Sequence, residues 1–252
     1  MTVNYRNFIY DEKRGFVFAY VPKVACTNWK SVFRYLAGFP DYLDNRLAHD
    51  KVLGGLRYLD LTGTDLGLLS DPGIAKYTFV RNPYSRALSG FLNKIQSSLP
   101  LLHSASDNHW IKITRKVEEF RITTLDSTAY PIINFEIFLL WLHHGASHFR
   151  NDEHWQKQSV LLRWPTVRFN FIGRMESLEA DAKYLLEEIG CDIAFPTQKD
   201  VNFAPTKATD KLEAYMTPAC RSLIEQIFSD DFVNFGYAIS NPLVMPEIDG
   251  QR

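Results

Sequence analysis

The chain has 252 residues, of which 46% are hydrophobic, 14% aromatic and 23% charged, a balance that is typical of a folded protein and excludes a disordered or fibrous chain. A chain of this length can bury a sizeable core without disulfides or a structural metal, and we predict a single domain over residues 1–252. Lys and Arg together number 28 and Asp and Glu 29, and this near-zero net charge excludes the basic surface of a non-specific nucleic-acid-binding protein.

The sequence contains no pattern that predicts secretion or membrane insertion. Residues 1–15 lack a basic segment followed by an apolar stretch, so we expect no secretory signal. The longest apolar runs, such as IFLLWL at residues 137–142, are far shorter than the roughly 18 residues that suggest a membrane span. The three cysteines, Cys26, Cys191 and Cys220, include no CxxC pair, which argues against a disulfide framework or a cysteine zinc site. We therefore expect a cytoplasmic protein.

The first predicted unit is a strand, a tight loop and a helix. FVFAYV at residues 16–21 is the continuous apolar run of a buried strand, and we expect NFIY before it to pair with it through the turn DEKRG. The loop PKVACT follows, and then apolar residues recur with helical spacing. We predict Thr27 as the N-cap and Gly38 as the C′ residue of this helix. The N-terminus of such a helix is a ready anion site.

A second unit repeats this order. The strand YTFV at residues 77–80 is followed by RNP and then by an amphipathic helix. Asn82 is predicted to cap this helix, and Pro83 stands at its first position, where a missing N–H costs nothing. Arg81 then lies at the carboxyl end of the strand, where open parallel α/β sheets bind ligands. Ser89 is expected on the side of the helix away from its apolar stripe.

The rest of the chain adds one more strand and several helices. INFEIFLLWLHH at residues 133–144 and SLEADAKYLLEEIG at residues 177–190 have helical patterns, and RFNFIG at residues 168–173 is typical of a strand. Thr217 and Pro218 are predicted to open a further helix. This alternation predicts an α/β fold with a mainly parallel β-sheet flanked by helices and right-handed crossovers.

The two strand–loop–helix units carry a resemblance to a known family. VPKVACTNWK at residues 21–30 resembles the 5′-phosphosulfate loop of the carbohydrate sulfotransferases, which include chondroitin and dermatan sulfotransferases. FVRNPYSRALSGFLNK at residues 79–94 resembles the 3′-phosphate-binding segment of that family, and residues 152–186 and 230–237 are similar to its later blocks. The resemblance spans almost the whole chain and implies a P-loop-like fold that binds 3′-phosphoadenosine 5′-phosphosulfate (PAPS).

Two features depart from that family. Asn82 stands where the family usually has Asp, and this change leaves the capping role intact. The Golgi membrane anchor of eukaryotic members has no counterpart in the sequence, which favours a soluble, bacterial relative.

The resemblance implies a chemistry for the first loop. Transfer of a sulfuryl group leaves a phosphate behind, so the site must stabilise the charge that builds on the bridging oxygen. By analogy with phosphoryl transfer, we assign Lys23 to that oxygen and the following backbone N–H groups to the 5′-phosphate. The loop residues assigned to the donor are Lys23, Ala25, Cys26, Thr27, Asn28 and Trp29, although Trp29 also belongs to the apolar stripe of the helix. The loop lacks the glycines of a Walker A motif, which disfavours an ATP or GTP kinase.

The second unit is assigned to the 3′-phosphate of the donor. This dianion is absent from ATP, and a guanidinium fork with a hydroxyl suits it, as Arg81 and Ser89 would provide. Arg86 also matches the family pattern, with a bracing role as the alternative. Lys207, within VNFAPTKATD at residues 201–210, falls where the family has a donor-covering loop, and a solvated loop residue is the alternative.

Two histidines compete for the role of general base, because histidine titrates closest to neutral pH. His49 lies between the two donor-binding units and resembles a histidine found there in related sulfotransferases, and we favour it. His154, in DEHW, is the rival, and its acidic and aromatic neighbours would equally suit acceptor binding. His144 and His148 are four residues apart but lack a third ligand of suitable spacing, so we predict no metal site.

The predicted function is therefore direct, in-line transfer of a sulfuryl group from PAPS to a hydroxyl of a carbohydrate or glycan acceptor, without a covalent intermediate at Cys26 and without a metal. Residues 96–130 are expected to shape the acceptor cleft, where specificity is set. Alternatives are a hydroxylated lipid or secondary metabolite as acceptor, a non-catalytic nucleotide-binding protein of the same fold, and a nucleotide kinase.

Overall fold

A computed structural model of the protein describes residues 6–61, 63–125, 128–144 and 147–239. The described residues divide into two compact units, each built from two stretches of chain. The first unit holds the residues up to Arg81 together with Gln158–Pro205, and the second holds Asn82–Lys157 and the residues from Thr206 onward. The expectation of a single domain over residues 1–252 stays a prediction.

The β-sheet belongs to the first unit. Its strands are β1 (Phe8–Asp11), β2 (Phe16–Ala19), β3 (Ala75–Val80) and β4 (Phe171–Arg174), and they lie in that order across the sheet. β1 is antiparallel to β2, whereas β2, β3 and β4 are parallel to one another. The predicted hairpin and the predicted mainly parallel sheet are both confirmed.

The helices flank this sheet in the first unit and build the second unit. In chain order they are α1 (Cys26–Leu36), α2 (Asn45–His49), α3 (Leu66–Ser70), α4 (Pro83–Gly90), α5 (His109–Thr124), α6 (Phe135–His144), α7 (Gln158–Leu161), α8 (Leu178–Glu188), α9 (Leu212–Tyr215), α10 (Pro218–Ile227) and α11 (Ser229–Asn234). Within the described ranges, none of these helices combines the length and the apolar character that a membrane span requires.

The ends of α1 and α4 test the predicted caps. Helix α1 begins at Cys26 with Ala25 as its N-cap and no side-chain cap bond, so the prediction that Thr27 caps it is wrong. The chain enters the helix earlier because Ala25 adopts a left-handed conformation and its carbonyl already accepts the N–H of Trp29 at 3.1 Å. Gly38, with φ +85°, follows the C-cap as predicted. The side chain of Asn82 accepts the N–H of Tyr84 at 3.0 Å, which confirms the cap of α4.

An aromatic core holds α1 against the sheet. The ring of Trp29 lies 5.1 Å from that of Phe18 on β2 and 4.8 Å from that of Phe79 on β3, measured between centroids. All three side chains are at most 1% exposed. Each such burial contributes about 1.5–3 kcal/mol of transfer free energy. Because Trp29 sits in the first turns of α1, this packing also fixes the loop that precedes the helix.

In the second unit, the helix that begins at Pro83 changes its winding. Helix α4 ends at Gly90 and continues as a π-helix over Phe91–Ile95, a form that occurs often at functional sites. The wider turn buries Phe91 and Ile95 and leaves Leu92 partly exposed. The predicted apolar stripe therefore continues to Ile95, with Leu92 as the exception.

Helix α5 was not predicted from the sequence. Its buried face contains Ile111 and Val117 but also Thr114 and Arg121. The Arg121 guanidinium is satisfied locally by Glu118 at 2.6–2.7 Å. Because polar side chains interrupt the apolar spacing, the helical period is weak in the sequence although the helix is long.

The close approach of β4 to the core gives a stability prediction. A Cβ atom at Gly173 would lie 2.4 Å from the ring of Phe79, which Trp29 holds in place. We expect Gly173→Ala to lower the free energy of unfolding by about 1–3 kcal/mol through overpacking, measured by urea denaturation. Gly67→Ala in α3 is the control, since nothing lies within 4 Å of its Cβ position, and it should cause no loss. Equal losses in the two variants would contradict this packing.

Candidate active site

The loop between β2 and α1 has a backbone suited to anion binding. Lys23 has φ 73° and Ala25 has φ 47°, and the left-handed conformation costs a residue with a side chain on the order of 1–3 kcal/mol. In a tight loop such residues turn successive N–H groups toward a common point and form a concave anion site. The N–H groups of Cys26, Thr27 and Asn28 follow in the first turn of α1, where a helix provides no intrahelical acceptor. This geometry fits the predicted 5′-phosphate site.

Arg81 holds this loop in place. Its guanidinium Nη1 donates to the carbonyl oxygen of Lys23 at 3.0 Å. Its backbone N–H and carbonyl are both bonded to the side-chain amide of Gln158, at 2.9 and 2.8 Å. Arg81 is 6% exposed, so its charge lies inside the protein beside the loop. The sequence predicted a phosphate ligand at this position, and the structure adds a bracing role.

His49 contacts the same loop. Helix α2 is capped by the side chain of Asp44, which accepts the N–H of Arg46 at 2.9 Å, and it ends at His49. Nε2 of His49 and Oγ1 of Thr27 lie 2.8 Å apart. Thr27 is 6% exposed, whereas His49 is exposed. One of the two candidate bases is thus hydrogen-bonded to a residue assigned to the donor.

A later segment of the first unit contacts the loop at both ends. The side-chain amide of Asn28 donates to the carbonyl oxygen of Pro196 at 2.8 Å. Nζ of Lys23 lies 5.6 Å from the centroid of the Phe203 ring, within cation–π range. Residues 196–203 therefore contact the loop at both ends, and the donor-covering role expected for residues 201–210 stays a prediction.

Trp29 has the core role that its place in the apolar stripe of the helix predicts. Its side chain is fully buried in the aromatic core, and its backbone N–H is bonded to Ala25. The structure thus places the Trp29 side chain in the core, and the predicted contact with the donor stays a prediction. Cys26 occupies the first position of α1 and is half-buried, so its N–H remains part of the candidate phosphate site.

In the second unit, Ser89 meets the segment that contains Lys207. Ser89 is 2% exposed, and its Oγ lies 3.1 Å from Oγ1 of Thr206. Lys207 follows Thr206 in the chain, is exposed and has φ 50°. Hydroxyl groups beside an ammonium are suited to a phosphate. The two predicted donor ligands of this unit therefore lie on neighbouring segments.

His154 belongs to a cluster of polar and aromatic side chains in the second unit. Its Nδ1 lies 2.7 Å from Oδ1 of Asp152, and Nε2 of His109 lies 3.3 Å from Oδ2 of the same carboxylate. Burial opposes ionisation of Asp152, but the hydrogen bonds of His154 and His109 outweigh it and hold the pKa of Asp152 below its usual value. The Trp110 ring stands edge-on to His154 at 4.7 Å, and Nζ of Lys94 lies 4.1 Å from the Trp110 ring.

Helix α4 fixes the segment that carries His154. The guanidinium of Arg86 donates to the carbonyl oxygens of Glu153 and Gln156 at 3.0 and 2.7 Å, and Arg86 is 2% exposed. A Cβ atom at Gly90 would lie 3.3 Å from the carbonyl oxygen of His154. Arg86 thus has the bracing role that was the alternative to phosphate binding.

His144 and His148, the two histidines considered as a metal pair, lie at the boundary of two helical segments. His144 ends α6 and His148 begins a 3₁₀ turn, and residues 145–146 lie outside the described residues. Among the side chains that the structure describes, no three His, Cys, Asp or Glu residues are grouped as metal ligands.

Several residues of these sites were missed in the sequence. Gln158 clamps Arg81, Phe203 contacts Lys23, and Trp110 contacts His154. Each contact joins segments far apart in the chain, so no local pattern indicates it. For Gln158, the family-like block of residues 152–186 was the available signal.

The chain is similar to known proteins over nearly its whole length. Residues 6–238 match the sequence model of the sulfotransferase family. Human carbohydrate sulfotransferase 14 is 29% identical over 241 residues, which cover 94% of this chain and 61% of that protein. Mouse carbohydrate sulfotransferase 11 is 25% identical over 249 residues, with 94% and 69% covered. Human carbohydrate sulfotransferase 9 is 27% identical over 237 residues, with 90% and 52% covered.

The chain thus spans about half to two thirds of the length of these relatives. No solved structure is a significant match. Because the family match covers both units, from the first strand of the sheet to the last described helix, we conclude that this protein belongs to the sulfotransferase family.

Proposed function

We propose that this protein transfers a sulfuryl group from PAPS to a hydroxyl of a carbohydrate acceptor. The observation that carries the proposal is the loop before α1, in which two left-handed residues precede a helix N-terminus and a buried arginine braces the backbone. The relatives are named carbohydrate sulfotransferases, which favours a carbohydrate over a lipid or a secondary metabolite as acceptor.

The donor phosphates are matched by different groups. In the first unit, the N–H groups of residues 25–28 and the dipole of α1 suit the 5′-phosphate. Arg81, whose side chain bonds to this loop, keeps the 3′-phosphate role assigned to it from the sequence. In the second unit, Ser89 and Lys207 offer a hydroxyl and an ammonium for the 3′-phosphate.

The reaction itself is a single displacement. The acceptor oxygen forms a bond to sulfur while the bond from sulfur to the bridging oxygen breaks, and the acceptor proton passes to a base. Negative charge grows on the bridging oxygen as it becomes a terminal phosphate oxygen. The ammonium of Lys23 stabilises this charge more strongly in the transition state than in the ground state.

His49 is the proposed base. Its hydrogen bond to Thr27 keeps it beside a residue of the donor loop, and its exposure leaves it accessible to an acceptor. His154 is the rival, and its Asp152 partner would stabilise the imidazolium form.

Acceptor binding is proposed for the second unit. Trp110 lies within residues 96–130 and contacts both His154 and Lys94. An indole face with nearby imidazole, carboxylate and ammonium groups offers both apolar contact and hydrogen bonds to a sugar ring.

Transfer of labelled sulfate from PAPS to a panel of sugars, lipids and phenols tests the function. We expect turnover with carbohydrates, and Lys23→Ala should lower kcat more than it weakens binding of the desulfated product. Lys23→Arg should restore little, because a planar fork does not replace a compact ammonium. Lys13→Ala, exposed in the β1–β2 turn, is the control and should keep full activity. Turnover confined to lipids or phenols, or nucleotide binding without turnover, would contradict the proposal.

Calorimetry tests the two phosphate sites. We expect the protein to bind adenosine 3′,5′-bisphosphate more tightly than AMP, and Arg81→Ala to remove about 1.5–3 kcal/mol of this preference. Ser89→Ala should remove about 0.5–1.5 kcal/mol. Ser85→Ala, on the same helix, is the control. It should leave this preference unchanged, because the Ser85 hydroxyl donates to the carbonyl oxygen of Asn82.

The two nucleotides separate the two roles of Arg81. If Arg81→Ala weakens both nucleotides equally, Arg81 only braces the loop and the assigned phosphate contact is wrong. Equal affinity of the unmodified protein for both nucleotides would remove the PAPS assignment itself.

The pH dependence of turnover tests the base. His49→Ala should lower kcat by about 100- to 10,000-fold and abolish the acidic limb of the pH profile, because the proton acceptor is lost. Nucleotide affinity should hardly change. His154→Ala is the matched comparison and should show a milder loss with the acidic limb retained. The reverse pattern would exchange the roles of the two histidines.

A further inference from the structure

Two buried side-chain amides join helix α7 to the ends of strands β2 and β3. The amide of Asn7 donates to the carbonyl oxygens of Tyr20, which follows β2, and Leu161, the last residue of α7, at 3.1 Å each. The amide of Gln158, the first residue of α7, is bonded to the backbone of Arg81, which follows β3. We propose that Gln158 is a positioning residue for the donor, which acts through Arg81 on the loop between β2 and α1. This inference rests on the proposed function of that loop.

The Gln158 amide takes the place of a neighbouring peptide group. Strand β3 is paired with β2 as far as Thr78 and with β4 as far as Val80. One residue later, the Gln158 amide accepts the backbone N–H of Arg81 at 2.9 Å and donates to its carbonyl oxygen at 2.8 Å. A primary amide offers the donor and the acceptor of a peptide group. Because both backbone groups of Arg81 are held, the direction in which its side chain leaves the backbone is fixed.

The Arg81 side chain carries this fixed direction to the loop. Its Nη1 donates to the carbonyl oxygen of Lys23 at 3.0 Å, where the backbone is left-handed. Arg81 is 6% exposed and Gln158 0%, and hydrogen bonds are stronger in such surroundings than in water and costly to lose. A displacement at Gln158 therefore moves the Lys23 peptide, and with it the N–H groups that follow, relative to the bound phosphate.

Helix α7 is a firm support for this arrangement. Leu161 and Leu162 are at most 1% exposed. The N–H of Leu162 is bonded to the carbonyl oxygen of Gln158 at 2.8 Å, and Asn7, itself 0% exposed, holds the other end of the helix. The backbone of Gln158 is thus fixed by the core, so its side chain holds Arg81 in a defined place.

A substitution that carries its own pH-dependent rescue tests the role of Gln158. At about pH 8, the carboxylate of Gln158→Glu accepts the Arg81 N–H but has no hydrogen for the Arg81 carbonyl. We expect calorimetry to show about tenfold weaker binding of adenosine 3′,5′-bisphosphate than in the unmodified protein. The usual glutamate pKa is about 4.3 and burial raises it. At about pH 5, the protonated carboxyl supplies both an acceptor and an O–H donor, so the affinity relative to the unmodified protein should recover.

Two further variants serve as comparisons. Gln158→Met keeps the length of the side chain without its polar groups, and it should bind the nucleotide more weakly at both pH values. Gln156→Glu is the matched control, with the same change of charge two residues away. The side-chain oxygen of Gln156 accepts the N–H of Lys157 at 2.9 Å, which a carboxylate also does, so this variant should bind like the unmodified protein at both pH values. Circular dichroism shows that each variant is folded.

A double-mutant cycle tests whether Gln158 acts through the guanidinium of Arg81. Arg81→Ala keeps the backbone groups that Gln158 binds but removes the guanidinium that reaches Lys23. In this background, Gln158→Met should cause little further loss of nucleotide affinity, because effects that act through one group do not add. Losses that add in full would show that Gln158 acts by another route and would refute the proposal.

The outcomes also separate this role from the proposed function. If the unmodified protein does not bind the nucleotide, the proposed function fails and the role of Gln158 with it. If it binds, but folded Gln158→Met binds equally well, or Gln158→Glu is equally impaired at both pH values, the positioning role is refuted and the proposed function stands. Where Gln158→Met does not fold, the comparison of the two pH values in Gln158→Glu decides.

Discussion

The geometry of the loop between β2 and α1 rests on the hydrogen bond from the guanidinium of Arg81 to the carbonyl oxygen of Lys23. The left-handed backbone at Lys23 is unfavourable in isolation, and a buried guanidinium is unfavourable without acceptors. Each feature offsets the cost of the other: the turned peptide presents its carbonyl to the arginine, and the arginine keeps the peptide turned. The N–H groups after the turn are thereby held in place before any ligand arrives, which is what preorganised electrostatic stabilisation requires.

The two candidate proton acceptors lie in contrasting surroundings. His49 is hydrogen-bonded to the hydroxyl of Thr27 in the donor loop. His154 contacts a carboxylate that is also bonded to His109, and this partner favours the charged imidazolium. The first arrangement keeps the histidine beside the donor loop. The second suits a residue that holds a fixed orientation among hydrogen-bonding groups.

The sequence predicted the features that local chemistry determines. The strands, the caps at Asn82 and Thr217, and the stop at Gly38 follow from residue type and spacing, and they are confirmed. The early start of α1 could not be predicted, since no residue pattern indicates a left-handed alanine. The π-helix after Gly90 and the polar face of α5 were missed because tertiary packing overrides the apolar period there. The hydrogen bonds between the Gln158 side chain and the Arg81 backbone were missed because they join distant segments.

The donor loop has partners far along the chain, and this affects how the protein is made. Asn28 is bonded to Pro196, 168 residues later, and Arg81 to Gln158, 77 residues later. Contacts of such separation form only after the entropy of closing a long loop has been overcome. During synthesis, a nascent chain that ends before Gln158 contains every residue of the loop. It lacks both Gln158, which bonds to Arg81, and the later segment that contacts Asn28 and Lys23. The proposed nucleotide binding therefore requires the chain through Phe203, because a product that ends before Gln158 lacks the contacts that hold the loop.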